Sequence, residues 1–153
     1  MDAGRTELVT SQIDLADLVA EVISDSGTEV GYRGPGELLV VTDPARVRVV
    51  LRNLVANAAQ HGAPPVTITV IPQPGELLID VHDCGSGVPE ALRERVFDRF
   101  VRGDESRHGS SAGLGLAIAA ENARLLHGSL TLQPDAARFR FRLPLRGTGG
   151  TQA

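Results

Sequence analysis

The chain has 153 residues, 42% apolar and 22% charged, with a formal net charge of −4; that is enough chain to close one hydrophobic core without disulfides or metals. The balance excludes a disordered polymer, no apolar run reaches the length of a bilayer, and the net acidity argues against a duplex-binding surface, so no nucleic-acid partner is expected. The single cysteine, Cys84, excludes an internal disulfide and suits a reducing compartment, while the polar start Met1-Asp2-Ala3-Gly4-Arg5 is not that of a secretory leader, so a cytoplasmic domain is expected.

Residues 1–10 show no period and are read as a linker, residues 11–146 as one domain, and residues 147–153 as a flexible tail. From Ile13, the pattern Leu15, Leu18, Val19, Val22, Ile23 predicts a short amphipathic helix with Asp14 as N-cap. Two strands are expected next, over Thr28–Arg33 and Glu37–Thr42, joined as a hairpin by Gly34-Pro35-Gly36. The clearest helix follows: Asp43 caps it, Pro44 suits its first position, and Val47, Val50, Leu51, Leu54, Val55 and Ala58 form one apolar stripe that Gly62 ends. Strands over Val66–Ile71 and Glu76–Asp83 are predicted on either side of a turn at Pro72–Gly75. Between Cys84 and Ala112 only a helical patch near Pro89–Phe97 interrupts a long aperiodic segment, and loops of that length are usually functional. A last helix over Gly113–His127 is expected to stop at Gly128 in the C′ position, before strands over Ser129–Gln133 and Ala137–Leu143. Strand pairs and helices mix without regular βαβα alternation, which predicts an α/β fold, a two-layer sandwich whose mixed sheet carries helices on one face.

Three features bear on chemistry. Asn53 and Asn57 lie one turn apart at the edge of the apolar stripe; an amide oxygen there can serve a hard cation such as Mg²⁺, or simply bond a neighbouring loop. In Asp83-Cys84-Gly85-Ser86-Gly87, strand alternation points Asp83 inward after Leu77, Ile79 and Val81. A buried carboxylate needs a donor, and an amino group on a planar ligand such as adenine would supply one, with Gly85 and Gly87 letting the backbone come close; an ordinary turn also fits these letters. Gly109-Ser110-Ser111-Ala112-Gly113-Leu114-Gly115-Leu116 runs into a helix start, where free N–H groups and the helix dipole accept phosphate, although no P-loop lysine follows.

Taken in order, Asn-x-x-x-Asn-Ala on a helix, Asp-x-Gly-x-Gly after a strand, a Phe-bearing segment and Gly-Leu-Gly-Leu at a helix start resemble the GHKL ATPases, specifically the catalytic domains of sensor histidine kinases. The N box corresponds to Arg52–Ala59, the first glycine box to Asp83–Gly87, the F box to Val96–Gly103, and the second glycine box includes Gly113–Leu116. The resemblance runs from Ile13 to Leu145, and it implies a mostly antiparallel Bergerat-type sandwich with a long ATP lid. It implies ATP and Mg²⁺ as cofactors, with Asn57 as the metal ligand and Asn53 lining the same site. Asp83 is then the reader of the adenine amine, Gly85 and Gly87 lie near the base, and Phe97 and Phe100 anchor the lid. Arg102 is the expected phosphate contact, sharing the catalytic role with Asn57, and Gly113, Leu114, Gly115 and Leu116 belong to the phosphate-facing helix start.

The resemblance further implies transfer of the γ-phosphoryl group to a histidine on a separate dimerisation domain and from there to a response regulator, in a parent protein anchored in the plasma membrane. None of His61, His82, His108 or His127 stands in the Glu-x-Arg/Lys-Thr/Asn-Pro context of such an acceptor. Gln60 and His61 replace the usual basic and aromatic residues after the N box, Ser111 stands where glycine is frequent, and Cys84 replaces a common asparagine. An anti-sigma-factor-type serine kinase and a degenerate nucleotide-binding docking module are the alternative readings.

Overall fold

Both acids expected to start helices do so. Asp14 Oδ1 accepts from Ala16 N at 3.0 Å and begins α1 (Leu15–Ser26), and Asp43 Oδ1 accepts from Arg46 N at 3.3 Å at the head of α2 (Pro44–His61). The computed structural model that shows this describes residues 7–98, 112–135 and 137–145. Each acid also carries a long-range bond: Asp14 Oδ1 takes Leu38 N at 2.9 Å, and Asp43 Oδ2 takes Val9 N at 2.9 Å.

The Asp14 bond corrects the expected hairpin. With Leu15 N donating to Leu38 O at 2.7 Å, residue 38 is pinned to the start of α1. Strand β3 (Leu39–Thr42) therefore falls antiparallel to β1 (Ser11–Asp14), a strand that helical spacing had masked as the beginning of α1. Strand β2 (Val30–Arg33) is left to pair in parallel with β4 (Val66–Gln73), which continues through Pro72 before turning at Gly75. Strands β5 (Glu76–His82), β6 (Ser129–Leu132) and β7 (Arg138–Pro144) complete a five-stranded sheet in the order β2-β4-β5-β7-β6, antiparallel except for its first pair.

One face of this sheet is apolar: Val66, Ile68 and Val70, then Leu77, Ile79 and Val81, then Phe139, Phe141 and Leu143 sit in adjacent rows and are buried. Leu51, Leu54 and Val55 of α2 cover them together with Leu116, Ala119 and Ala123 of α3 (Ala112–Leu125). The architecture is thus the expected two-layer sandwich of a mixed, mostly antiparallel sheet under helices on one face. Helix α3 ends differently from expectation. His127, not Gly128, occupies the left-handed C′ position at φ 67°, and Gly128 N donates to Ala123 O at 2.8 Å in the following position. A Cβ on Gly128 would collide with the Arg142 carbonyl, so the glycine serves strand packing rather than the turn.

The opposite sheet face carries a fully buried acid. Asp80 accepts from Arg140 Nε at 2.9 Å and Nη2 at 3.0 Å, and from Arg138 Nη1 at 3.3 Å. Both arginines keep part of their surface in water, so losing the negative charge leaves them solvated rather than stranded. Asp80→Asn is expected to cost about 1.5–3 kcal/mol in urea unfolding, as for hydrogen bonds to charged groups, with nucleotide affinity unchanged because the site lies across the sheet.

The expected lid is described as far as Asp98 and contains a 3₁₀ segment at Glu90–Arg95. Phe97 meets Phe139 edge-on, with centroids 5.7 Å apart and planes at 68°, and packs against the core. Phe100, Arg102, His108 and the loop half of the second glycine box, Gly109–Ser111, lie outside the described residues.

Candidate functional site

The row Leu77, Ile79, Val81 on β5 continues one step beyond the strand, and Asp83 lands on the core-facing side with 9% of its surface exposed. Burial of a carboxylate is tolerable only when it is hydrogen-bonded, and two backbone donors supply that. Asp83 Oδ1 accepts from Gly85 N at 2.6 Å and from Ala63 N at 3.3 Å. The first donor lies in the same turn; the second comes from the segment after α2, which is tied back by Cys84 N donating to Ala63 O at 2.8 Å. Among the described residues no donor reaches Oδ2.

Asn57 reaches the same place from α2. The i, i+3, i+4 stripe that buries Leu54 and Ala58 rotates Asn57 to the edge of the core, where it is 9% exposed and its Oδ1 is enclosed with no hydrogen-bond partner among the described residues. A cavity of about 270 Å³ opens between these groups, lined by Asn57, His61, Gly62, Asp83, Gly87 and Phe139 among others. This is close to the lower end of the roughly 300–1,000 Å³ usual for ligand pockets. Gly87 bounds it at φ 89°, a backbone angle that a residue with a Cβ adopts only with strain. A larger hollow of about 550 Å³ lies between α1 and α2 over Val22, Val55 and Ala59, but neither Asp83 nor Asn57 opens into it.

The remaining motif residues divide. Gly113 and Leu114 stand in the first turn of α3, where backbone N–H groups have no acceptor within the helix. Gly115 packs against α2: a Cβ there would lie 2.9 Å from Asn53 Oδ1. Asn53 turns its amide nitrogen back to Val49 O at 2.9 Å, so its side chain joins the two helices rather than lining the cavity. Leu116 is buried in the core and sets how α3 sits on it. Gly85 contributes its N–H to Asp83. His82 lies across the sheet, beside Thr67 and Arg138.

Sequence reasoning read Gly62 only as a helix stop and did not single out Ala63 or Phe139. A donor 20 residues away from its acid leaves no periodic signal; only the fold brings it there.

Residues 42–147 match the family model described as histidine kinase-, DNA gyrase B-, and HSP90-like ATPase. The chain is 40% identical over 152 residues to the signal transduction histidine-protein kinase AfsQ2 of Streptomyces coelicolor, covering 94% of this chain and 28% of the relative. It is 35% identical over 159 residues to the probable sensor histidine kinase TcrY of Mycobacterium tuberculosis, covering 96% of this chain and 33% of the relative. The chain therefore spans about a third or less of the curated relatives it matches. Among solved structures, the ATP-binding domain of PrrB from Mycobacterium tuberculosis superposes with a TM-score of 0.72 at 31% identity, covering 90% of this chain and 98% of that one. Full-length ShkA in complex with AMPPNP gives a TM-score of 0.74 at 26% identity, covering 91% of this chain and 32% of that one. With a family model spanning residues 42–147, and with the inward acid and the amide-bearing helix meeting at one cavity, the chain belongs to the histidine kinase-, DNA gyrase B-, and HSP90-like ATPases, as an ATP-binding catalytic domain of the sensor histidine kinase kind.

Proposed function

We propose that this domain binds Mg-ATP between α2 and the Asp83 turn and donates the γ-phosphoryl group to a histidine on a separate dimerisation domain of the same parent, from which a response regulator receives it. The observation that carries the reading is the Asn57 carboxamide oxygen, enclosed and, among the described residues, without a hydrogen-bond partner, on the same cavity as Asp83, whose Oδ2 no described donor reaches. A buried acceptor left unmatched costs about 1–3 kcal/mol, and a hard cation that prefers oxygen ligands matches it. Asn57 fits the role of metal ligand. When bound, Mg²⁺ would supply charge neutralisation on the phosphate oxygens.

The chain's own residues would do the rest. Asp83 Oδ2 accepts the adenine amine, and Gly87 gives the ring room. Gly113 and Leu114 offer N–H groups to the phosphates, while Asn53 and Gly115 hold α3 at the right distance from α2. Arg102 is the guanidinium proposed to steady the γ-phosphate. The acceptor imidazole nitrogen forms the P–N bond as the bond from the γ-phosphorus to the bridging oxygen breaks, and ADP leaves with that electron pair. Phosphoryl transfer of this kind asks for positioning and electrostatics rather than covalent help from the protein. Residues 11–146 would form the catalytic domain, residues 1–10 the linker and residues 147–153 a tail. The parent would be anchored in the plasma membrane with this domain in the cytoplasm; no helix among the described residues is itself long and apolar enough to cross a membrane.

The test is to incubate the chain with γ-labelled ATP and Mg²⁺, alone and with an added acceptor domain of a related kinase. Label is expected on the acceptor histidine only, and stable label on this chain alone would refute the division of labour. Labelled serine on a small added partner, with none on the histidine domain, would point to the serine-kinase alternative.

A further inference from the structure

Gly62 ends α2, but nothing in its backbone demands glycine. Its φ of −102° lies outside the left-handed region that favours glycine, and its N–H donates to Ala58 O at 2.9 Å as any non-proline would. What demands glycine is the neighbour. A Cβ built on Gly62 would overlap the Asp83 carboxyl, meeting its carbon and both oxygens, whereas one on Gly27 or Gly36 would meet nothing within 4 Å. On the other side a Cβ on Gly85 would stand 3.0 Å from Asp83 Oδ1. The carboxylate is held between two bare Cα atoms.

It also cannot retreat as a unit. Asp83 N donates to Ala137 O at 3.1 Å and Cys84 N to Ala63 O at 2.8 Å, so the backbone is tied to β7's approach on one side and to the Gly62–Ala63 turn on the other. Any added bulk at position 62 must be relieved through the side chain of Asp83, by rotating it off its two N–H donors.

We propose that Gly62 is a positioning residue for base recognition: its missing side chain keeps the Asp83 carboxylate in the rotamer whose Oδ2 accepts the amine at C6 of the purine, and so sets the preference for adenine nucleotides. This rests on the reading of Asp83 as the adenine contact. It predicts an effect confined to the base and absent from the phosphate end.

The experiment compares ATP with the triphosphate of purine riboside, which lacks only that amine, by calorimetric titration into the unsubstituted chain and Gly62→Ala. The unsubstituted chain is expected to prefer ATP by about tenfold or more, the usual effect of a hydrogen bond to a charged acceptor. Gly62→Ala should lose that preference, with affinity for the purine riboside analogue unchanged. A preference retained in Gly62→Ala, or an equal loss for both ligands, would overturn the role of Gly62 alone. No preference in the unsubstituted chain would overturn the adenine site itself and the inference with it. Should Gly62→Ala fail to fold, the pair Gly62→Ala with Asp83→Ala is expected to fold and melt like Asp83→Ala, since the overlap is with the carboxyl group. A pair that stays unfolded would sink the proposal.

Discussion

Asp83→Asn is expected to remove measurable ATP binding while leaving the unfolding midpoint nearly unchanged. Oδ1 is fixed by the Gly85 and Ala63 N–H groups at 2.6 and 3.3 Å, so an asparagine must place its carbonyl oxygen there. Its amide nitrogen then occupies the position of Oδ2 and presents donors to a donor. The substitution thus exchanges a charge-assisted bond, worth about 1.5–3 kcal/mol, for an unmatched pair of donors in an enclosed site, and the two effects together amount to about 3–5 kcal/mol. That is on the order of a hundred- to several-thousandfold in affinity, enough to lose the isotherm of a micromolar ligand. The backbone ties at Asp83 N and Cys84 N survive, so thermal unfolding followed by circular dichroism should move little. An unchanged isotherm would remove the adenine assignment.

Asn57→Ala should act in opposite directions on function and stability. Titration of ATP with Mg²⁺ and with a chelator is expected to give two distinct isotherms for the unsubstituted chain and one shared isotherm for the variant, because the amide oxygen proposed to hold the ion is gone. Phosphotransfer to an added acceptor domain should fall with it. The same substitution deletes an enclosed acceptor that none of the described residues satisfies and replaces a poor helix former by the best one, inside an 18-residue helix. A gain of about 1 kcal/mol follows, or roughly 3 °C in melting temperature for a domain of this size. Such a trade is typical of residues kept for function rather than for the fold. A variant that melts lower and keeps its metal dependence would mean that Asn57 is a packing residue.

The site was legible where the signal is local. Asp83 could be placed inward from strand alternation alone, and Asn57 at the core edge from helical spacing, because both depend on a period of two or 3.6 along one element. Asn53 shows where that reasoning thins out: the same helical spacing puts it one turn from Asn57, yet its amide is turned back to Val49 O and its oxygen lies against Gly115. Which of two adjacent boundary residues opens into a cavity is settled by the helix packed across from them.

The sequence by itself determined the helix caps at Asp14 and Asp43, the apolar stripe of α2, the core-facing rows of β4, β5 and β7, and the order of the four boxes, since each is a matter of neighbours along the chain. Tertiary structure alone decided that β2 and β3 part company, because the Asp14 carboxylate takes the Leu38 N–H from 24 residues away and carries β3 to β1. It also decided that Ala63 steadies Asp83 and that Gly62 must stay bare. Contacts between segments far apart in the chain are selected by which groups remain unsatisfied once the elements pack, and that residue of unmet donors, acceptors and volume exists only in the folded molecule.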